Sequence, residues 1–104
     1  MILVLEINGA LLHLFSSAAE VGSYVEAIDV ENSEYELCDD SGQRFVVEII
    51  QLPGFIRAGR VRLAPVGVPD RTLVPSFVRG ARILERGCDG FRTLDDLRRA
   101  WPNH

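Results

Sequence analysis

The sequence has no lysine: its eleven basic residues are all arginine, and none of them occurs before residue 44. Two cysteines in 104 residues are too few to staple a small secreted scaffold, so Cys38 and Cys88 are expected to be reduced thiols. Nine glycines and five prolines without a period exclude collagen-like and low-complexity chains. No run approaches the ~20 apolar residues of a membrane helix. The apolar start, MILVLEINGALLHLF, has no basic leader and is interrupted by Glu6, Asn8 and His13, which does not fit a signal peptide. The expected compartment is the cytoplasm, with no membrane partner. At 47% hydrophobic and 25% charged residues, the composition is that of one globular domain over residues 1–104.

Charge is unevenly placed. Residues 1–43 hold nine acids and no arginine, whereas residues 44–104 hold six acids and all eleven arginines, so the two parts carry −9 and +5 of the net −4. The acids gather at residues 26–40, which predicts a negative face there.

Asn8-Gly9 between two apolar runs predicts a type I′ hairpin of strands 2–7 and 10–15, with Leu3 opposite Leu14. Both faces of this hairpin are apolar, which places it inside a sheet. Ser17 and Glu20 form a capping-box pattern ahead of Val21, Tyr24, Val25 and Ile28, the apolar stripe of a helix over 18–28. Glu34 to Gln51 predicts a second hairpin. A loop Asp40-Ser41-Gly42, with left-handed Gly42, pairs Leu37 with Phe45 and Tyr35 with Val47 and sets Glu34 opposite Glu48 on the outer face. Residues 52–59 are expected as a loop and 60–66 as a strand. A helix is expected over 72–86, burying Phe77, Ala81 and Leu84 and exposing a stripe of Arg79, Arg82 and Arg86. Thr93 is expected to cap a last short helix with Leu94, Leu97 and Trp101 inward. The fold class is α+β: a mostly antiparallel sheet with helices packed on one side, in the order β-β-α-β-β-β-α-α.

Catalytic patterns are sparse. His13 lies in an apolar strand and is read as a hydrogen-bonded structural residue. Cys38 precedes Asp39 and Asp40, whose charge opposes the thiolate. The acids do not match a calcium loop, so no metal and no cofactor are expected. They suit either a solvated rim or a partner-facing surface. The predicted opposition of Glu34 and Glu48 favours the latter, since a cationic partner would relieve it. The arginine stripe has no interleaved aromatic platform, so no nucleic-acid partner is expected.

The run Phe15-Ser16-Ser17 through Tyr24-Val25-Glu26-Ala27-Ile28-Asp29-Val30-Glu31-Asn32-Ser33-Glu34-Tyr35, followed by Asp40-Ser41-Gly42, resembles small cytosolic immunity proteins of bacterial polymorphic and contact-delivered toxin systems. The resemblance covers about a third of the chain, residues 15–45, and contains no mechanistic motif. It implies a non-enzymatic protein that binds and neutralises a cognate toxin. A toxin acting on nucleic acid has a basic cleft, and an acidic surface imitates phosphate charge. On this reading the partner-binding residues are Asp29, Glu31, Glu34, Glu36, Asp39, Asp40 and Glu48. The alternative is a homo-oligomeric structural or regulatory module, or a small-ligand binder, that associates through the apolar hairpin 2–15, with a homodimer as its simplest form.

Overall fold

A computed structural model describes residues 1–24, 35–51 and 60–102. It shows one α+β domain built on a six-stranded sheet. The strands are β1 (Ile2–Glu6), β2 (Leu11–Phe15), β3 (Tyr35–Asp39), β4 (Arg44–Gln51), β5 (Arg60–Val66) and β6 (Ile83–Arg86). The helices are α1 (Ala18–Tyr24), α2 (Leu73–Gly80) and α3 (Leu94–Ala100). The spatial order is β5-β4-β3-β1-β2-β6, antiparallel throughout except for the parallel pair of β2 with β6. The expected succession of elements is present, with one short strand added between the last two helices.

That strand corrects the helix expected over 72–86. The helix stops at Gly80, a poor helix former, and Ala81 is already extended (φ −79°, ψ 139°). The Arg82 N–H then donates to the Ala10 carbonyl at 2.8 Å, and Ile83 to Arg86 run beside β2. An apolar strand inside a sheet needs a neighbour on each edge, and β6 supplies the second neighbour of β2. Leu84 packs on the core as expected, but from a strand. Arg79, Arg82 and Arg86 therefore do not form a helical stripe.

The sheet buries both of its faces around β1 and β2. Leu3, Leu12, Leu14 and Cys38 pack with Leu73, Val74, Phe77 and Val78 of α2 and Leu97 of α3. On the opposite face Ile2, Val4, Phe15 and Leu37 pack with Val21 of α1, with Tyr35, Phe45, Val47 and Leu63 at the margin. Helices thus cover both sides, not one. The cause is the two-faced apolarity of the central hairpin: Leu3 and Val4, on opposite faces, are each fully buried.

Leu3 pairs with Leu14 as predicted, but the turn differs. Residues Ile7–Gly9 form a 3-10 turn, closed by the Ala10 N–H on the Ile7 carbonyl, and the left-handed residue is Ala10 (φ 52°). The two successive positive φ angles of a type I′ hairpin occur instead at Asp89 (52°) and Gly90 (86°), between the bridged residues Cys88 and Phe91. In the second hairpin Leu37 does face Phe45, and Gly42 is left-handed (φ 86°). Ser17 and Thr93 cap their helices. The Ser17 Oγ accepts from the Glu20 N–H, while the Glu20 carboxylate accepts from the N–H and hydroxyl of Ser16 instead of the Ser17 amide. Thr93 and Asp96 form a complete capping box.

Gly42 also locks two distant segments, since its carbonyl accepts from the Asp70 N–H at 3.0 Å. A Cβ at Gly42 would lie 2.0 Å from the Asp70 carbonyl oxygen, whereas one at Gly67 (φ 70°) meets nothing within 4 Å. Gly42→Ala is expected to destabilise by about 3 kcal/mol and Gly67→Ala by about 1 kcal/mol. Equal losses in denaturant unfolding would contradict the lock.

Candidate protein-binding face

Among the described residues, α2 and α3 cover the sheet over β1, β2 and β3, and no helix packs on the same face of β4 and β5. Strand alternation places Arg44, Val46 and Glu48 on this face beside Arg62, Ala64 and Val66, and the register of β3 adds Glu36. Val46 and Val66 are exposed on it, at 44% and 43%. Two ion pairs flank Val46, and Val66 lies directly across from Arg44 of the first. Glu36 lies 3.9 Å from Arg44. Glu48 sits directly across from Arg62 in the β4–β5 ladder, and Nε and Nη2 of that arginine reach a single Glu48 oxygen at 2.8 and 2.7 Å. Gln43 closes the end of the face, donating from its amide to the carbonyls of Arg44, Val66 and Gly67.

The seven carboxylates expected as one patch are placed as follows. Glu36 and Glu48 share the open face, as the hairpin register predicted. Asp39 belongs to the β3–β4 turn, where its Oδ1 accepts from the Ser41 hydroxyl at 2.6 Å and from the Ser41 and Gln43 N–H groups. Burial pushes the Asp39 carboxyl up, but these bonds and the N-terminal ammonium outweigh it and hold the group below the ordinary range. Asp40 lies 3.8 Å from that ammonium. Asp29, Glu31 and Glu34 are outside the described residues, and so is the expected opposition of Glu34 to Glu48. The charge of Glu48 is met from within the chain, by Arg62.

The arginines and valines of this face were missed because the strand 60–66 was recognised without its register. The alternation of Arg60, Val61, Arg62 and Leu63 was visible, but pairing Arg62 with Glu48 requires knowing how the 52–59 connection aligns the two strands.

A second cluster surrounds His13. This side chain is 3% exposed, its Nε2 lies 3.2 Å from Glu6 Oε2, and its ring packs against those of Tyr24 and Phe15 at 5.1 and 6.5 Å between centroids. The Arg86 guanidinium caps the Phe15 ring at 4.7 Å and lies 3.6 Å from Glu20. Hydrogen bonding to Ser16, together with the field of Arg86, holds the Glu20 carboxyl below its usual range despite some desolvation. The imidazole, held between a carboxylate and two rings, ties α1 to β1 and β2 and is hydrogen-bonded as expected, while Arg86 brings β6 to the cluster through Phe15 and Glu20.

Both thiols are held above their ordinary range. Burial, followed by the charge of Asp39, pushes the Cys38 thiol up to about 12 from an ordinary 9.0. Cys88 is also raised, by burial and by Asp89. Among the described residues no group of three or more histidine, cysteine or acidic side chains is placed to hold a metal, and no helix is long and apolar enough to cross a membrane. No family model matches this sequence, and no curated protein or solved structure is significantly similar to it.

The raised Cys38 thiol has a signed consequence. Between pH 9 and about 12 the unfolded chain gives up this proton while the folded chain keeps it. The contribution is therefore complete below pH 9 and is lost as pH rises through this window. Cys38→Ala is expected to flatten that alkaline decline relative to the parent chain. Iodoacetamide is expected to label Cys88 first in the folded protein and both thiols only after denaturation. Faster labelling of Cys38 would contradict its burial.

Proposed function

We propose that this chain is a non-enzymatic protein-recognition domain whose docking surface is the open face of β4 and β5, and that its partner is a cognate toxin which it neutralises. The observation that carries the recognition role is the arrangement on that face: exposed Val46 lies between the Glu36–Arg44 and Glu48–Arg62 pairs, and exposed Val66 lies directly across from Arg44. An apolar centre with a polar rim is the anatomy of a protein interface. The toxin as partner is supported by the resemblance of residues 15–45 to immunity proteins.

On this reading the face does not act as a simple negative patch. Each carboxylate on it has a guanidinium beside it, so the partner would present its own apolar centre and charges of both signs. Steering of a basic toxin would fall to Asp29, Glu31 and Glu34. The paired charges would set orientation and the valines would supply the binding energy.

The same pairing favours a second reading, a homodimer. A two-fold axis through the face would bring Glu48 and Arg62 of one copy against Arg62 and Glu48 of the other, which is self-complementary. The hairpin 2–15 cannot serve as the association edge, because β1 lies between β2 and β3 and β2 lies between β1 and β6.

The test is binding to the C-terminal domain of a toxin encoded beside this chain, by calorimetry, with protection from that toxin measured in cells. Val46→Asp and Val66→Asp are each expected to weaken the complex by about 30-fold or more without changing the thermal midpoint. Unchanged affinity would remove the face from the interface. A parent chain that neither binds nor protects would remove the immunity role. A dimer by light scattering that Val46→Asp dissociates would replace it with the second reading.

A further inference from the structure

α2 and α3 leave between them a cleft of about 220 Å³, lined by Pro75, Val78, Arg79, Arg98 and Trp101. It contains no residue of the open strands. Its wall is apolar: Val78 is buried, the Trp101 ring packs against Phe91 at 5.6 Å between centroids, and the Trp101 backbone N–H donates to the Leu97 carbonyl at 2.8 Å. Its rim is cationic. In a chain of net charge −4, two of the five described lining residues are arginines and none of these five is an acid. Arg98 pairs with Asp95 at 3.3 Å, but that carboxylate is 81% exposed, and an exposed pair of this kind exchanges readily for another carboxylate.

The volume narrows the occupant. Small-molecule sites span roughly 300–1,000 Å³, so this cleft is short of a ligand site and suits a single side chain. Tryptophan and arginine are the residue types that most often anchor protein contacts, and the guanidinium fork matches a carboxylate. We propose that the cleft is a recognition pocket for one apolar side chain of a partner polypeptide, with a carboxylate neighbouring that side chain reaching Arg79 and Arg98. The assignment is independent of what engages the open sheet face.

Trp101 is the only tryptophan in the chain, so its fluorescence reports this cleft alone. The probe is a blocked pentapeptide with a central phenylalanine flanked by glutamates. Its control carries glutamines in their place, and free 3-phenylpropionate forms a third arm. The acidic peptide is expected to change Trp101 emission saturably with a Kd on the order of 1 mM, and the control to bind about fivefold more weakly. Arg98→Gln and Arg79→Gln, checked by circular dichroism for an unchanged fold, are each expected to remove most of the difference between the two peptides. No saturable response, equal binding of both peptides, or binding indifferent to the two arginine substitutions would overturn the proposal. Tighter binding of free 3-phenylpropionate than of the acidic peptide would also overturn it, by making the cleft a site for small organic acids.

Discussion

Two adjacent strands that are apolar on both faces cannot be satisfied by one layer of cover. β1 and β2 present Leu3, Leu12 and Leu14 to one side and Ile2, Val4 and Phe15 to the other, all of them buried. Each such side chain contributes about 1.5–3 kcal/mol only when it leaves water. α2 and α3 therefore lie on one face and α1 on the other. The same demand acts in the plane of the sheet, where β3 and β6 satisfy the outer backbone groups of the pair. With the helices committed to the centre, β4 and β5 have one face uncovered among the described residues, and the candidate interface lies there.

The hairpin registers were legible because the side-chain period of a strand is two and a core tolerates no slip: Leu3 had to meet Leu14, and Leu37 had to meet Phe45. Caps at Ser17 and Thr93 were legible because hydroxyl and carboxylate at a three-residue spacing answer the same unpaired amides in any helix. The end of α2 was not. Leu84 fits the stripe set by Phe77 and Ala81, and only the pairing of residues 82–86 with a strand far back in the chain overrides that local pattern. Turn chemistry failed for a related reason. Asn8-Gly9 carries the type I′ signal, but at Ala10 the carbonyl takes the Arg82 N–H, whereas Asp89-Gly90, between the bridged Cys88 and Phe91, adopts the turn its residues favour.

The acidic concentration shows how far density along a chain departs from density in space. Nine acids without a base in residues 1–43 imply a negative face only if the neighbours in space are also neighbours in sequence. In a sheet they are not. Glu48 meets Arg62 from the next strand and Glu36 meets Arg44 from across a turn, so arginines of the second half neutralise carboxylates read as uncompensated. What remained legible was which carboxylates share a face, because that follows from strand alternation alone.

The parallel contact of β2 with β6 joins Leu11 to Ile83, 72 positions further along the chain. At roughly 5–20 residues per second on the ribosome, the outer edge of β2 waits several seconds for its neighbour to be made. During that interval one of the two most apolar strands offers a row of unpaired amides and carbonyls, a template on which another nascent chain could pair. The edge that is sealed in the finished protein is therefore the site at which its biogenesis is most exposed to chaperones and to aggregation.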